Sequence, residues 1–387
     1  MEAENARGSG DLAKAERLYS TALAEAQSSR DSSHLNLGYH GLAQVYQEQH
    51  RFREAESIFQ DQLEAAAKSP QPNTSVHAGH MSLARLYEDE GRFAEAEIHY
   101  KAALAETEKT EVFPDHTFWC STSMWLARFY IARQRYSEAE PLFQRASEML
   151  EEDERSNSYL PHHLQEFAKL CEARGKDEAA EGLYRRALAL CEGLQGSNSL
   201  YTARAADALA AFYRARRRYP EAEELYRRSL MIVEEHVSSQ AAMWTKAWRP
   251  WRKKQELQIQ LSRNQIPIST SLDQLATVYE DQQKYAESEP LRRRSLEIKE
   301  RAWGERHSSS LVDSLTAHAN ALRKIGRERE ASQIDKRVEA IRLRYPHGSV
   351  QCSLRATVRP IKRSLRWRFS TFVSALVHPS RFRPSSR

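Results

Sequence analysis

Three basic side chains, Arg85, Arg128 and Lys169, stand 43 and 41 residues apart, and each follows Met81, Met124 or Gln165 by four residues. Four residues is just over one helical turn, so each pair shares a helix face. Cations repeated at equivalent places can hold the carboxylates of an acidic segment or of a chain terminus through charge-assisted hydrogen bonds. Methionine adds a soft, adaptable apolar contact beside them. Three residues further on lie Glu88, Ile131 and Glu172, and a fourth stripe reads Asp207, Ala211, Arg214. The glutamates would offset part of the ladder's charge, so a plain solvated face is the competing reading of the same residues.

The other reactive side chains are scattered. His77 and His80 are three apart with no cysteine or carboxylate framing a metal site, and the adjacent His162 and His163 point to different faces of a helix. Cys120, Cys171, Cys191 and Cys352 form no C-x-x-C pair, which speaks against a zinc or redox site and for a reducing compartment. None of H-E-x-x-H, G-x-S-x-G or G-x-G-x-x-G occurs. Gly175-Lys176 lacks both the upstream glycine and the following Ser or Thr of a phosphate-binding loop. The expectation is a protein that is not an enzyme, with no cofactor and no metal.

What positions the ladder is an internal repeat. Its clearest unit, Leu83 to Leu104, has the skeleton Ala84, Tyr87, Gly91, Phe93, Ala96, Glu97, Tyr100, Ala103, Leu104. The place of Gly91 is taken elsewhere by Gly10, His50, Gln134, Gly175, Arg217, Gln283 and Gly326, at intervals of 40, 41, 43, 41, 42, 66 and 43 residues. Ala84 and Tyr87 share one helix face, and Ala96, Tyr100 and Ala103 share a face of a second helix. Small residues let the two helices approach closely while the aromatic fills the gap above them. Gly91 falls just past the first helix, where a left-handed residue closes it without a Cβ penalty. His50, Gln134, Arg217 and Gln283 would each cost about 1 kcal/mol in that conformation. The aromatic of Tyr100 recurs as Tyr19, Phe59, Phe143, Tyr184 and Tyr226.

These residues resemble the tetratricopeptide repeat, and the period near 42 resembles the version found in kinesin light chains. Phe113-Pro114-Asp115-His116 and Trp303-Gly304-Glu305-Arg306-His307 are similar to that family's turn between repeats. The resemblance implies an all-α, right-handed α-solenoid of helix-turn-helix repeats over residues 1–342, about seven complete ones after a truncated first. In kinesin light chains a heptad coiled coil precedes the repeats, whereas this sequence starts almost inside its first repeat, so a motor-adaptor role is not expected. The first helix of each pair would line a concave groove. The implied function is a scaffold or adaptor that captures peptide segments, possessing Met81, Arg85, Met124, Arg128, Gln165, Lys169 and Arg214 as groove residues and acidic peptides as partners.

Composition fits stacked amphipathic pairs better than one deep core: 29% of the 387 residues are charged and 40% apolar. The net charge of +5 belongs to the tail. Residues 343–387 hold ten Lys or Arg and no Asp or Glu, leaving 48 basic against 53 acidic side chains before them. An acidic array without a groove-reading module points away from nucleic acid. An insertion of about 24 residues within 237–268 carries Trp244, Trp248 and Trp251 among Lys246, Arg249, Arg252, Lys253 and Lys254. It reads as a basic-aromatic arm that binds an acidic partner or caps the groove, against an extra helix packed on the array or a stretch of mistranslated non-coding sequence. The tail spaces Ile361, Leu365, Phe369, Phe372, Val373 and Leu376 like a basic amphipathic helix. It reads as a tether for a membrane-associated structural protein or as a helix offered to a partner, against a disordered tail or a reading-frame artefact. The N-terminus has no apolar core of a signal peptide, and the run from Phe369 to Val377 is too short to span a bilayer, so a cytoplasmic location is expected.

Overall fold

The computed structural model describes residues 2–8, 10–29, 32–68, 75–109, 116–153, 157–247, 261–303 and 308–344. Their regular elements are helices: α1 (Glu2–Gly8), α2 (Leu12–Ser29), α3 (Ser32–Glu48), α4 (Phe52–Ala67), α5 (Ser75–Asp89), α6 (Phe93–Glu106), α7 (Thr117–Ala132) and α8 (Tyr136–Glu152). After a 3-10 turn at Asn157–Tyr159 follow α9 (Leu160–Ala173), α10 (Asp177–Gln195), α11 (Leu200–Ala215), α12 (Tyr219–Ala247), α13 (Ile266–Asp281), α14 (Tyr285–Trp303), α15 (Ser308–Lys324) and α16 (Glu328–Arg344). Each helix packs chiefly on its neighbours in sequence. The result is an all-α solenoid of consecutive helix pairs.

Part of the insertion is a continuation of α12, which runs on to Ala247. Trp248, Arg249, Trp251, Arg252, Lys253 and Lys254 lie outside the described residues, as do the basic tail from Tyr345, the turn residues Phe113 to Asp115 and those from Gly304 to His307.

The spacing of the skeleton has its counterpart in the packing. Ala84, Ala96, Ala127, Ala139, Ala168 and Ala180 are all 0% exposed, and Tyr100 and Phe143 fill the space above them at 1% and 0%. Larger side chains at the alanine places would drive the helices apart. The turns between paired helices also follow the expected rule. Gly10, Gly91, Gly175 and Gly326 have φ between 70° and 80°, and His50, Gln134, Arg217 and Gln283 adopt the same left-handed conformation at 58° to 61°. The geometry is that of a Schellman closure: Arg92 N–H donates to the Tyr87 carbonyl at 2.8 Å, Arg135 to Tyr130 at 2.9 Å and Arg218 to Tyr213 at 2.9 Å. Four non-glycine residues are held there because the closure caps one helix and starts the next.

The residue that completes this closure also pins the preceding pair. Arg92 Nη1 reaches Glu56 at 2.8 Å while its guanidinium lies 4.2 Å from the centre of the Tyr87 ring, whose hydroxyl donates to the same Glu56 at 2.7 Å. Arg135, Tyr130 and Glu97 repeat the clamp, with Arg135 Nη2 to Glu97 at 3.1 Å and the Tyr130 hydroxyl to Glu97 at 3.0 Å. Arg218, Tyr213 and Glu181 do so again, at 2.6 and 3.0 Å. The hydrogen bond from Arg135 holds the Glu97 carboxyl at about 2, well below its ordinary range. Where Cys171 replaces the tyrosine, Lys176 and Arg174 still reach Glu140. The clamp therefore sets how each pair seats on the one before it.

Candidate binding face

The ladder residues come from the first helices of three successive pairs, α5, α7 and α9. The residues that hold them are two that the four-and-three stripe passes over. Trp125 and Glu166 lie one place after Met124 and Gln165 and occupy equivalent places in their repeats. From there each side chain meets the cation one turn ahead on its own helix and the cation of the preceding pair. Arg85 and Arg128 lie 5.5 and 5.1 Å from the centre of the Trp125 indole. Both contacts are within cation–π range. Glu166 then takes Lys169 Nζ at 2.6 Å and Arg128 Nε at 3.9 Å. Along the array the order is cation, indole, cation, carboxylate, cation.

Arg85, Arg128 and Lys169 are exposed, whereas Met81, Met124 and Gln165 are half-buried. Met81 and Met124 back onto the main aromatic core around Tyr100 and Phe129. Beside Met124 a cavity of about 260 Å³ opens between α7 and α9, lined by Phe118, Cys120, Leu150, Tyr159 and His163 among others. The glutamates expected to offset the ladder bond elsewhere. Glu88 accepts from the Tyr100 hydroxyl at 2.8 Å and from Arg133 at 3.3 Å. Glu172 accepts from the Tyr184 hydroxyl at 2.6 Å and from Arg216 at 2.8 Å. Arg214 stands apart from the three-cation set and faces Asp281 at 3.4 Å.

The histidines flagged by spacing have structural partners. His77 Nε2 is 2.8 Å from the Thr122 hydroxyl, and His80 Nδ1 is 3.0 Å from His99 Nδ1. His163 Nε2–H donates to the Phe143 carbonyl at 3.1 Å, while His162 is exposed at the cavity rim. Burial pushes both His80 and His163 down to about 4, so each ring is neutral at physiological pH. Among the described residues no group of three or more His, Cys, Asp or Glu is placed to hold a metal ion.

Two family models match the chain: a MalT-like TPR region over residues 2–161, and a tetratricopeptide repeat over residues 162–235 and 267–344. No match is found among curated protein sequences. Among solved structures the chain is similar to the repeats of a putative kinesin light chain of Podosopora anserina, with 24% identity, 50% of this chain and 92% of that chain covered and a TM-score of 0.41. It is also similar to BtubC (BKLC) of P. vanneervenii, at 18% identity, 74% and 91% coverage and a TM-score of 0.40. A third is the STAND protein with a tetratricopeptide repeat sensor from Pyrococcus horikoshii, at 11% identity, 86% and 47% coverage and a TM-score of 0.47. With repeat models matching nearly all of its helices, the chain belongs to the tetratricopeptide repeat family, whose fold serves as a protein-interaction scaffold.

Proposed function

We propose that this chain is a non-catalytic adaptor that captures acidic peptide segments on the groove-lining face of α5, α7 and α9. The observation that carries the reading is the single indole of Trp125 flanked by the guanidinium groups of Arg85 and Arg128. Stacking on one ring restricts two long side chains, so a peptide carboxylate meets cations already ordered for it. Arginine suits that task because its planar fork binds a carboxylate through two parallel hydrogen bonds. Met81, Met124 and Gln165 supply the adaptable floor between the cations. A reducing, cytoplasmic setting suits the buried Cys171 and Cys191, whose thiols burial pushes above their ordinary range. The membrane-tether alternative rests on tail residues outside the described set. No helix among the described residues is long and apolar enough to cross a membrane.

The test is a titration of a fluorescein-labelled hexaglutamate peptide against the intact chain and the double variant Arg85→Glu, Arg128→Glu. Both side chains are exposed, so the fold should tolerate the change. Binding should weaken by more than about tenfold, with helicity by circular dichroism unchanged. Retention of the original affinity would sink the reading.

A further inference from the structure

We infer that Glu166 is a built-in occupant of a carboxylate subsite between Arg128 and Lys169, one that an acidic peptide must take over to use the whole ladder. The inference rests on the face being a surface for acidic peptides. Its own basis is an asymmetry of exposure. The Glu166 side chain is 12% exposed, whereas Arg128 and Lys169 are 52% and 56% exposed. The acid is covered and both bases look outward.

A covered carboxylate must be paired or its desolvation goes uncompensated. Glu166 divides its two oxygens between the two cations, Oε1 to Lys169 and Oε2 towards Arg128. This is the arrangement that a peptide carboxylate would adopt in the same place. One repeat earlier the equivalent residue is Trp125, which holds Arg85 and Arg128 by its face and satisfies neither of them as an acid would. Among the described residues Arg85 has no carboxylate within ion-pair distance. The ladder thus has an open half, Arg85 to Arg128, and an occupied half, Arg128 to Lys169. A short acidic group should engage the open half first. A longer acidic stretch should then compete with Glu166, so Glu166 sets how strongly the face discriminates by ligand charge.

Glu166→Gln keeps the shape and removes the charge. Titrated with the labelled hexaglutamate peptide, this variant should bind about five- to tenfold more tightly than the unaltered chain. Glu166→Ala should show the same gain, and Glu166→Asp should bring affinity back towards the original. Lys169→Gln alone should change affinity little, because Lys169 is already engaged, but added to Glu166→Gln it should erase the gain. That dependence is what a merely structural glutamate would not give. An affinity unchanged or weakened in both Glu166→Gln and Glu166→Ala, with helicity intact, overturns the inference, as does a gain that survives Lys169→Gln. If the unaltered chain binds through Arg85 and Arg128 yet Glu166→Gln gains nothing, the subsite fails and the proposed function stands. If neither form binds, both fail.

Discussion

In the pair α5–α6, Tyr100 is 1% exposed and its hydroxyl donates to Glu88 at 2.8 Å; in the pair α13–α14, the equivalent place belongs to Arg292. Its guanidinium donates to both oxygens of Glu280, the counterpart of Glu88, at 2.8 Å each, to Thr277 at 3.0 Å and to Asp273 at 3.2 Å. Lys299 extends the network to Asp273 at 2.5 Å and Ser314 at 2.7 Å. In the next pair the link is inverted, with Asp335 in the aromatic's place and Arg323 in the glutamate's, and the two still bond. A tie between the two helices of a pair is kept while its chemistry changes from aromatic to ionic. The two solutions differ in energy. A buried tyrosine contributes a large apolar surface, whereas a buried ion network roughly breaks even against the desolvation of its charges. Near the last turn the apolar core is divided, with Ala319, Leu322 and Ala331 in one small cluster and Leu296, Leu311, Val312, Leu315, Val338 and Ile341 in another, whereas around Tyr100 it is continuous. Since each pair leans only on its neighbours, the ionic end should open first.

The largest effect expected from this contrast comes from exchanging the two residues. Tyr100→Arg would bury a guanidinium beside Glu88 alone, because the counterpart of Asp273 there is Met81. It should cost about 3–5 kcal/mol, the range for a buried charge left short of partners. Arg292→Tyr keeps a hydroxyl for Glu280 and leaves Asp273 with Lys299, so its loss should not exceed about 2 kcal/mol. Urea denaturation of both variants measures the asymmetry. Equal losses would mean that the place matters and the partners do not.

A second contrast lies between two aspartates. Asp207 and Asp273 occupy equivalent places, but Asp273 has Arg292 and Lys299 while Asp207 has neither. The Asp207 Oδ1 is buried without a hydrogen bond, and burial pushes the carboxyl up to about 6, against a weaker opposing pull from the nearby Ser229 hydroxyl. An acid whose pKa is raised on folding favours the folded state most where it is protonated. Stability is therefore lost as pH rises from the unfolded value of 3.8 through about 6. Asp207→Asn should raise stability by about 1–2 kcal/mol at pH 7, and the gain should vanish near pH 4. Asp273→Asn should lower it at pH 7. Urea midpoints at the two pH values decide the matter, and an Asp207→Asn gain independent of pH would discard the burial argument.

These contrasts also mark how far the sequence could be read. Ala84, Ala96, Tyr100 and Gly91 were legible because helix periodicity and close packing impose residue types at fixed steps. The left-handed backbone at Gln134 and Arg217 followed from their alignment with glycines. The ladder cations could be found by the same spacing, but Trp125 and Glu166 could not. They lie one place off the stripe, and only the seating of one pair on the next brings each against a cation of another helix. The Arg292 network was hidden for a similar reason: Asp273, Thr277 and Glu280 fall on the four-and-three stripe of α13, but that spacing does not name Arg292 and Lys299 of α14 or Ser314 of α15 as what they meet. The loss of the aromatic at 292 and 335 was the only trace of it in the skeleton. Nothing in the spacing links Arg92 to Glu56, which 36 residues apart form one joint.

The smallest effect tests whether the two regions differ in backbone as well as in core. Gln134 and Gln283 adopt φ of 59° and 61°, one in the aromatic region and one in the ionic region. A side chain in this conformation costs about 1 kcal/mol, and glycine recovers most of that while losing some on unfolding through its extra freedom. Gln134→Gly and Gln283→Gly should each slow local opening by a free energy of about 0.5–1 kcal/mol. Native-state hydrogen exchange reads this in α7–α8 for the first and α13–α14 for the second. Both side chains are exposed, so neither change touches the core or the ion network. Equal gains would place the difference between the regions wholly in their buried links. A larger gain at Gln283 would show instead that the ionic end holds its turn less firmly, with backbone strain adding to the weakness of the core.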